Sequence, residues 1–138
     1  MVWAVTSSRC MKTILIAEDE EDLRDLLLMT LEDPAYRLVE ASDGEAALNR
    51  IMAEPPDAVI LDWMMPRRNG IDVARVMRNH PRLRHIPIIM LTAKNQLDDQ
   101  QEGSEVGVWA YIVKPFSPLR LLETVQDVLA KAKTQSSG

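Results

Sequence analysis

The sequence predicts an α/β fold with a five-stranded parallel sheet, and three observations carry that prediction. Apolar runs of strand length alternate with longer stretches of helical period, the pattern left by successive right-handed crossovers. The first, third and fourth runs are nearly all apolar, as strands covered on both faces must be. The chain of 138 residues has the size of one ordinary domain, with the apolar and charged fractions of a globular protein.

The first strand is expected over Thr13 to Ala17. The helix after it places Leu23, Leu27 and Leu31 on one face, with Glu20, Glu21 and Asp22 as an acidic first turn that the helix dipole favours. A second strand over Arg37 to Ala41 leads into a helix capped by Asp43, whose apolar face carries Ala47 and Ile51 with Leu48 and Met52. The third strand covers Ala58 to Leu61. Asn69-Gly70 then reads as a turn before a helix that buries Val73, Ala74 and Met77. Pro87 to Leu91 form the fourth strand. The stretch from Lys94 to Glu105 offers only Leu97 as a large apolar side chain, so a helix there is weakly held and belongs with the elements that switch. A fifth strand over Ala110 to Val113 precedes Ser117-Pro118, a cap followed by proline at the first helical position, and a last helix with Leu122, Val125 and Leu129 on one stripe.

Residues 1–11 are expected to be a mobile extension, because Met11-Lys-Thr-Ile-Leu-Ile reads as a natural start. Residues 12–132 form the domain and residues 133–138 a polar tail. The formal net charge of -5 and the dispersal of the arginines disfavour direct DNA binding, and nothing in the charge balance points to a membrane surface. No apolar run is long enough to span a bilayer, the start lacks a secretory signal, and the one cysteine, Cys10, has no internal partner. A cytoplasmic protein is expected. His80 and His85 read as helix-end and loop residues without chemistry, the methionines as core filler on the pattern of Met77 and Met90, and Arg67 with Arg68 as an exposed, solvated pair rather than a kinase contact.

In an open parallel sheet, ligands bind outside the carboxyl ends of the strands. The first apolar run ends at Glu18-Asp19, the third at Asp62, the fourth at Thr92 and the fifth at Lys114. Carboxylates gathered at one edge repel, by up to about 4 kcal/mol for a close pair at an effective dielectric near 20. A hard divalent cation offsets that cost, and Mg²⁺ suits a site with few protein carboxylates better than Ca²⁺; zinc lacks its histidine and cysteine ligands here. Mg²⁺ beside Asp62, with the Thr92 hydroxyl and the Lys114 ammonium, is a set of parts for phosphoryl transfer onto a carboxylate.

At these residues the sequence resembles the response-regulator receiver family of two-component signalling, from about Lys12 to about Ala132. Ile14-Leu-Ile-Ala-Glu-Asp-Glu20 is similar to the family's first strand and acidic pair, and Asp62-Trp-Met-Met-Pro-Arg-Arg-Asn-Gly70 to its phosphoacceptor loop. Pro87-Ile-Ile-Met-Leu-Thr-Ala93 and Tyr111-Ile-Val-Lys-Pro-Phe116 resemble the other two motifs. The resemblance implies a flavodoxin-like, doubly wound sheet of order 2-1-3-4-5 flanked by five helices. It implies that Asp62 accepts a phosphoryl group from a sensor histidine kinase or histidine phosphotransfer protein, and that Asp19 ligates Mg²⁺ directly. Glu18 would act at the metal, usually through water, and the Met64 backbone carbonyl would complete the protein ligands. Thr92 and Lys114 would bind the phosphoryl group, Thr92 and Tyr111 would switch, and Lys114-Pro115 would be cis. A member of this kind is a signalling domain rather than an enzyme, catalysing at most its own phosphorylation and dephosphorylation. With no further domain after Gly138, output is expected through a downstream protein target.

Two departures stand out. Where many relatives have Gly-Ala-Asp-Asp-Tyr, this chain has Gly107-Val-Trp-Ala-Tyr111, which assigns Trp109 to partner or homodimer contacts. Two residues after Asp62 stands Met64, which cannot hold an attacking water, so slow self-dephosphorylation is expected. Three rival readings remain at this stage. An aspartyl-phosphate hydrolase normally wants an acid where Met64 stands, and a flavin carrier would be repelled by the acids from Glu18 to Asp22. The strongest rival is a pseudo-receiver, an interaction module with the fold but without the chemistry.

Overall fold

A computed structural model describes residues 11–92 and 106–137 of the chain. In chain order the elements are β1 (Lys12–Ala17), α1 (Glu21–Leu31), β2 (Tyr36–Ala41), α2 (Gly44–Ala53), β3 (Ala58–Asp62), α3 (Gly70–Arg78), β4 (Ile88–Thr92), β5 (Ala110–Val113) and α4 (Pro118–Ser137). The strands form one parallel sheet of order β2-β1-β3-β4-β5, the flavodoxin-like arrangement expected. Four of the five expected helices lie among the described residues. The segment from Lys94 to Glu105, where the fifth was expected, lies outside them, as do residues 1–10.

Successive strand residues point to opposite faces, and each face has its own core. Leu15, Val59, Leu61, Ile88 and Met90 pack against α2 and α3 through Ala47, Leu48, Ile51, Ile71, Ala74 and Met77. Ile14, Ile16, Ile60, Ile89, Leu91 and Ile112 pack on the other side against Leu27, Leu31, Leu121, Val125 and Val128 of α1 and α4. Every residue of β3 and β4 is buried, which is why those runs read as continuously apolar.

Strand limits differ from expectation by one residue at five of the ten ends, those of β3 and β4 for hydrogen-bonding reasons. Asp62 still pairs with Leu91 and Thr92 with Val113, so β3 and β4 each run one residue further. Pro87 has no amide to give to the ladder; its carbonyl accepts from the Val59 amide at 3.0 Å while the strand starts at Ile88. Caps explain three helix starts. The Asp43 carboxylate accepts from Ala46 N at 2.7 Å, the Asn69 side chain from Asp72 N at 2.9 Å, and the Ser117 hydroxyl from Arg120 N at 3.1 Å. Asn69 is therefore a helix cap rather than part of a free-standing turn.

Three expectations about packing need correction. Met52 is 43 % exposed, one residue past the buried stripe of α2. In α4 the innermost line is Leu121, Val125 and Val128, with Leu122 and Leu129 only flanking it, so the stripe is rotated from the one expected. Of the methionines, Met65, Met77 and Met90 fill the core, whereas Met11, Met29, Met52 and Met64 face outward. Among the described residues, no helix is long and apolar enough to cross a membrane.

Candidate functional site

Sheet register assembles the site. Chain order reverses between β1 and β3, the place where an open sheet leaves a crevice at its carboxyl edge. Ala17 pairs with Leu61, so the next residues on those strands, Glu18 and Asp62, emerge side by side. Asp62 pairs with Leu91, Thr92 lies one residue beyond, and Thr92 pairs with Val113 immediately before Lys114.

One carboxylate oxygen each from Glu18, Asp19 and Asp62 lies within 4.8 Å of the others. Glu18 and Asp62 are 1 % and 4 % exposed, while Asp19 faces solvent. The Lys114 ammonium donates to Asp62 Oδ1 at 2.9 Å and stands 3.4 Å from Glu18 Oε1, an ion pair without hydrogen-bond geometry. Glu18 Oε2 accepts from the Glu20 amide at 3.1 Å, whereas the buried Oε1 has no hydrogen-bond partner. Burial, then the hydrogen bond and charge of Asp62, push the Glu18 carboxyl up to about 7, against the pull of the Glu20 amide and Lys114. For Lys114, burial lowers the pKa, but Asp62 and Glu18 together outweigh it and the net shift is upward.

Three carboxylates facing one ammonium leave two negative charges uncompensated when all are ionised. Among them the buried Glu18 Oε1 has an ion pair with Lys114 at 3.4 Å but no hydrogen bond, so the charge balance leaves a place for a further cation. The donors are all oxygens and few in number, which fits Mg²⁺ with retained waters. Thr92 is buried at the end of β4, and its backbone carbonyl accepts from Lys114 N at 2.8 Å. Met64 is the second residue of the loop after β3, which the Gly70 amide closes by donating to the Trp63 carbonyl at 2.9 Å. The Lys114–Pro115 peptide is cis.

Tyr111 and Trp109 are not part of this cluster. They lie three and five residues upstream of Lys114, about 10 and 17 Å along an extended chain. Tyr111 is partly buried against the α2/α3 core, and Trp109 against the α1/α4 core. Both line a groove beside β5 with Arg120, Asp127 and Lys131.

Sequence reasoning missed Arg24. Its guanidinium donates to the Glu18 backbone carbonyl at 2.7 Å and to Glu40 Oε1 at 3.0 Å, fixing the end of β1 from α1. A lone basic residue two positions after an acidic run was the available signal. Arg67 and Arg68 are not merely solvated either: their Nε atoms stand 3.4 Å from Asp43 Oδ2 and 3.6 Å from Glu45 Oε2.

A family model described as the response regulator receiver domain matches residues 14–126. The phosphate regulon transcriptional regulatory protein PhoB of Pseudomonas aeruginosa is 42% identical over 120 residues, 87% of this chain and 52% of that protein. The alkaline phosphatase synthesis transcriptional regulatory protein PhoP of Bacillus subtilis is 39% identical over 122 residues, 88% of this chain and 50% of its own length. The crystal structure of the chemotaxis response regulator CheY4 of Vibrio cholerae superposes with a TM-score of 0.80 at 34% identity, covering 86% of this chain and 98% of that one. The chain thus spans about half the length of the curated relatives it matches. That finding overturns the expectation of no direct DNA binding. The expectation rested on the charge of these 138 residues alone, and relatives of about twice the matched length are transcriptional regulators.

Proposed function

We propose that this chain, which belongs to the response regulator receiver domain family over residues 14–126, works as a Mg²⁺-dependent phosphoacceptor switch with Asp62 as the acceptor. The observation that carries the reading is the buried Asp62 carboxylate, held by Lys114 at 2.9 Å beside Glu18 and Asp19 at the switch point of the sheet. In this reading a carboxylate oxygen of Asp62 attacks the phosphorus of a phosphohistidine on a sensor kinase or phosphotransfer protein. The new O–P bond forms as the P–N bond breaks, and the imidazole nitrogen leaves with the electron pair and takes up a proton. Mg²⁺, held by Glu18, Asp19, Asp62 and the Met64 carbonyl, would supply neutralising charge to the phosphoryl oxygens. Lys114 follows one of those oxygens, and the Thr92 hydroxyl orients another.

The acyl phosphate adds charge and acceptor oxygens at the ends of β3, β4 and β5. Thr92 and Lys114 are drawn toward it, and Tyr111 and the surface beside β5, with Trp109, form the region a downstream protein reads. The chain acts in the cytoplasm as a signalling domain whose only catalysis is on its own phosphoryl group.

The test is intact mass after incubation with Mg²⁺ and acetyl phosphate, beside Asp62→Asn and a magnesium-free control. A single phosphoryl adduct that requires both Asp62 and Mg²⁺ is expected. No adduct, under conditions that label an established receiver, would favour an interaction module without phosphoryl chemistry.

A further inference from the structure

The loop between β3 and α3 rests on the N-terminus of α2. Asp43 caps that helix through Ala46 N at 2.7 Å and also faces the Arg67 guanidinium at 3.4 Å. One residue on, the backbone of Gly44 approaches the loop so closely that a Cβ there would overlap the Arg68 carbonyl oxygen. Glu45 then pairs with Arg68 at 3.6 Å. Three consecutive residues of α2's start therefore grip two consecutive residues of the loop. Arg67 is held at φ 71, a left-handed conformation that an ordinary side chain rarely adopts and that persists only where its surroundings impose it. The loop is closed at its base by Gly70 N to Trp63 O and tightened by Arg68 N to Pro66 O at 2.7 Å. A compact loop gripped on its far side has little freedom at its near end, where Met64 follows Asp62.

We infer that the start of α2, through Asp43 and Gly44, positions the β3–α3 loop and thereby sets the affinity of the carboxylate site for Mg²⁺. The inference rests on the metal-dependent reading above. It makes Asp43, Gly44 and Arg67 positioning residues, since none of them belongs to the cluster of Glu18, Asp19 and Asp62.

Simple electrostatics gives the opposite expectation for one substitution, and so a test. Removing the positive charge of Arg67 should by itself strengthen binding of a cation nearby. Loss of the grip should weaken it, by about tenfold if Arg67 acts as outer-sphere partners of metal ligands commonly do. Arg67→Asn removes the ion pair yet takes left-handed φ readily, so the fold is retained. The measurement is Mg²⁺ titration by isothermal calorimetry, with intrinsic tryptophan fluorescence as a second readout. Arg67→Asn and Gly44→Ala are expected to bind Mg²⁺ about tenfold more weakly, while Arg67→Lys, which keeps a cation opposite Asp43, returns toward wild type. Ile51→Val destabilises the same helix from its core side and should leave Mg²⁺ affinity unchanged. Wild-type or tighter binding by Arg67→Asn, or equal weakening by Ile51→Val, would overturn the inference while leaving the phosphoacceptor reading standing. Failure of the wild-type protein to bind Mg²⁺ at all would remove both.

Discussion

Met64 stands two residues beyond Asp62, the proposed acceptor, and is 71 % exposed, so its thioether reaches into solvent. A thioether is a weak acceptor and no donor, and it cannot fix a water for attack on an acyl phosphate. An amide can do both. Met64→Asn is therefore expected to shorten the half-life of the phosphorylated protein several-fold, read by intact mass after the phosphodonor is removed. An unchanged half-life would show that water reaches the phosphorus without help from this position. Legibility at this scale depended on what each residue does. Glu18, Asp19, Asp62 and Lys114 were readable because each ends an apolar run, and register alone brings strand ends together. Arg24 was not, because its work is a hydrogen bond to a backbone carbonyl, and carbonyls leave no mark in a sequence. Arg67 and Arg68 looked solvated for a related reason: their partners lie two elements away.

Elements are fastened to one another by such backbone contacts. Arg78, in the last turn of α3, donates to the carbonyls of Arg84 and Ile86 at 2.8 and 3.0 Å and to those of Val106 and Gly107 at 3.1 and 2.9 Å. One guanidinium thus ties the end of α3, the connection to β4 and the entry to β5. Burial lowers its pKa, yet it remains charged at any ordinary pH. Gly107 fits this arrangement twice, with φ +76 and with a Cβ position only 3.1 Å from Arg78 Nε. Arg78→Ala would leave several carbonyls without donors and is expected to cost about 3 kcal/mol in urea denaturation. Arg78→Lys should recover only part of that, because an ammonium cannot span both sides with a planar fork. A loss below about 1 kcal/mol for the alanine variant would mean water replaces the guanidinium at these carbonyls. Helix caps at Asp43 and Ser117 and the nearly all-apolar strands were legible at this scale. The rotation of α4's stripe was not, because Leu121, Leu122, Val125, Val128 and Leu129 offer two overlapping stripes and only the opposing surface of α1 and β5 selects between them.

For the whole molecule, sequence periodicity was sufficient to specify a parallel sheet, since alternating apolar runs and helical stretches admit few other packings. Strand order came from motif resemblance, which the observed order bears out. Net charge misled on DNA because it is a property of whatever length of chain is counted, and the matched relatives are about twice as long. Charge does bear directly on stability at the carboxyl edge of the sheet. Glu18 titrates at about 7 in the fold, against an ordinary 4.5, so between those values the folded chain binds more protons than the unfolded one. Stability must then fall as pH rises through that window, being greatest below it. Lys114 adds no slope there, because a raised ammonium pKa contributes stability that is complete below its ordinary 10.5. On the proposed reading Mg²⁺ opposes that slope: an ion bound by the deprotonated cluster would by mass action stabilise the fold more at about pH 8 than at about pH 5. Thermal unfolding at those two pH values, with and without Mg²⁺, is expected to show the metal-free protein less stable at the higher pH and the gap narrowed or reversed by the metal. Glu18→Gln should flatten the metal-free difference, which would assign it to the Glu18 carboxyl. A metal-free protein equally stable at both pH values would mean that the Glu18 charge is already compensated within the fold, and that the carboxylate cluster does not need a cation.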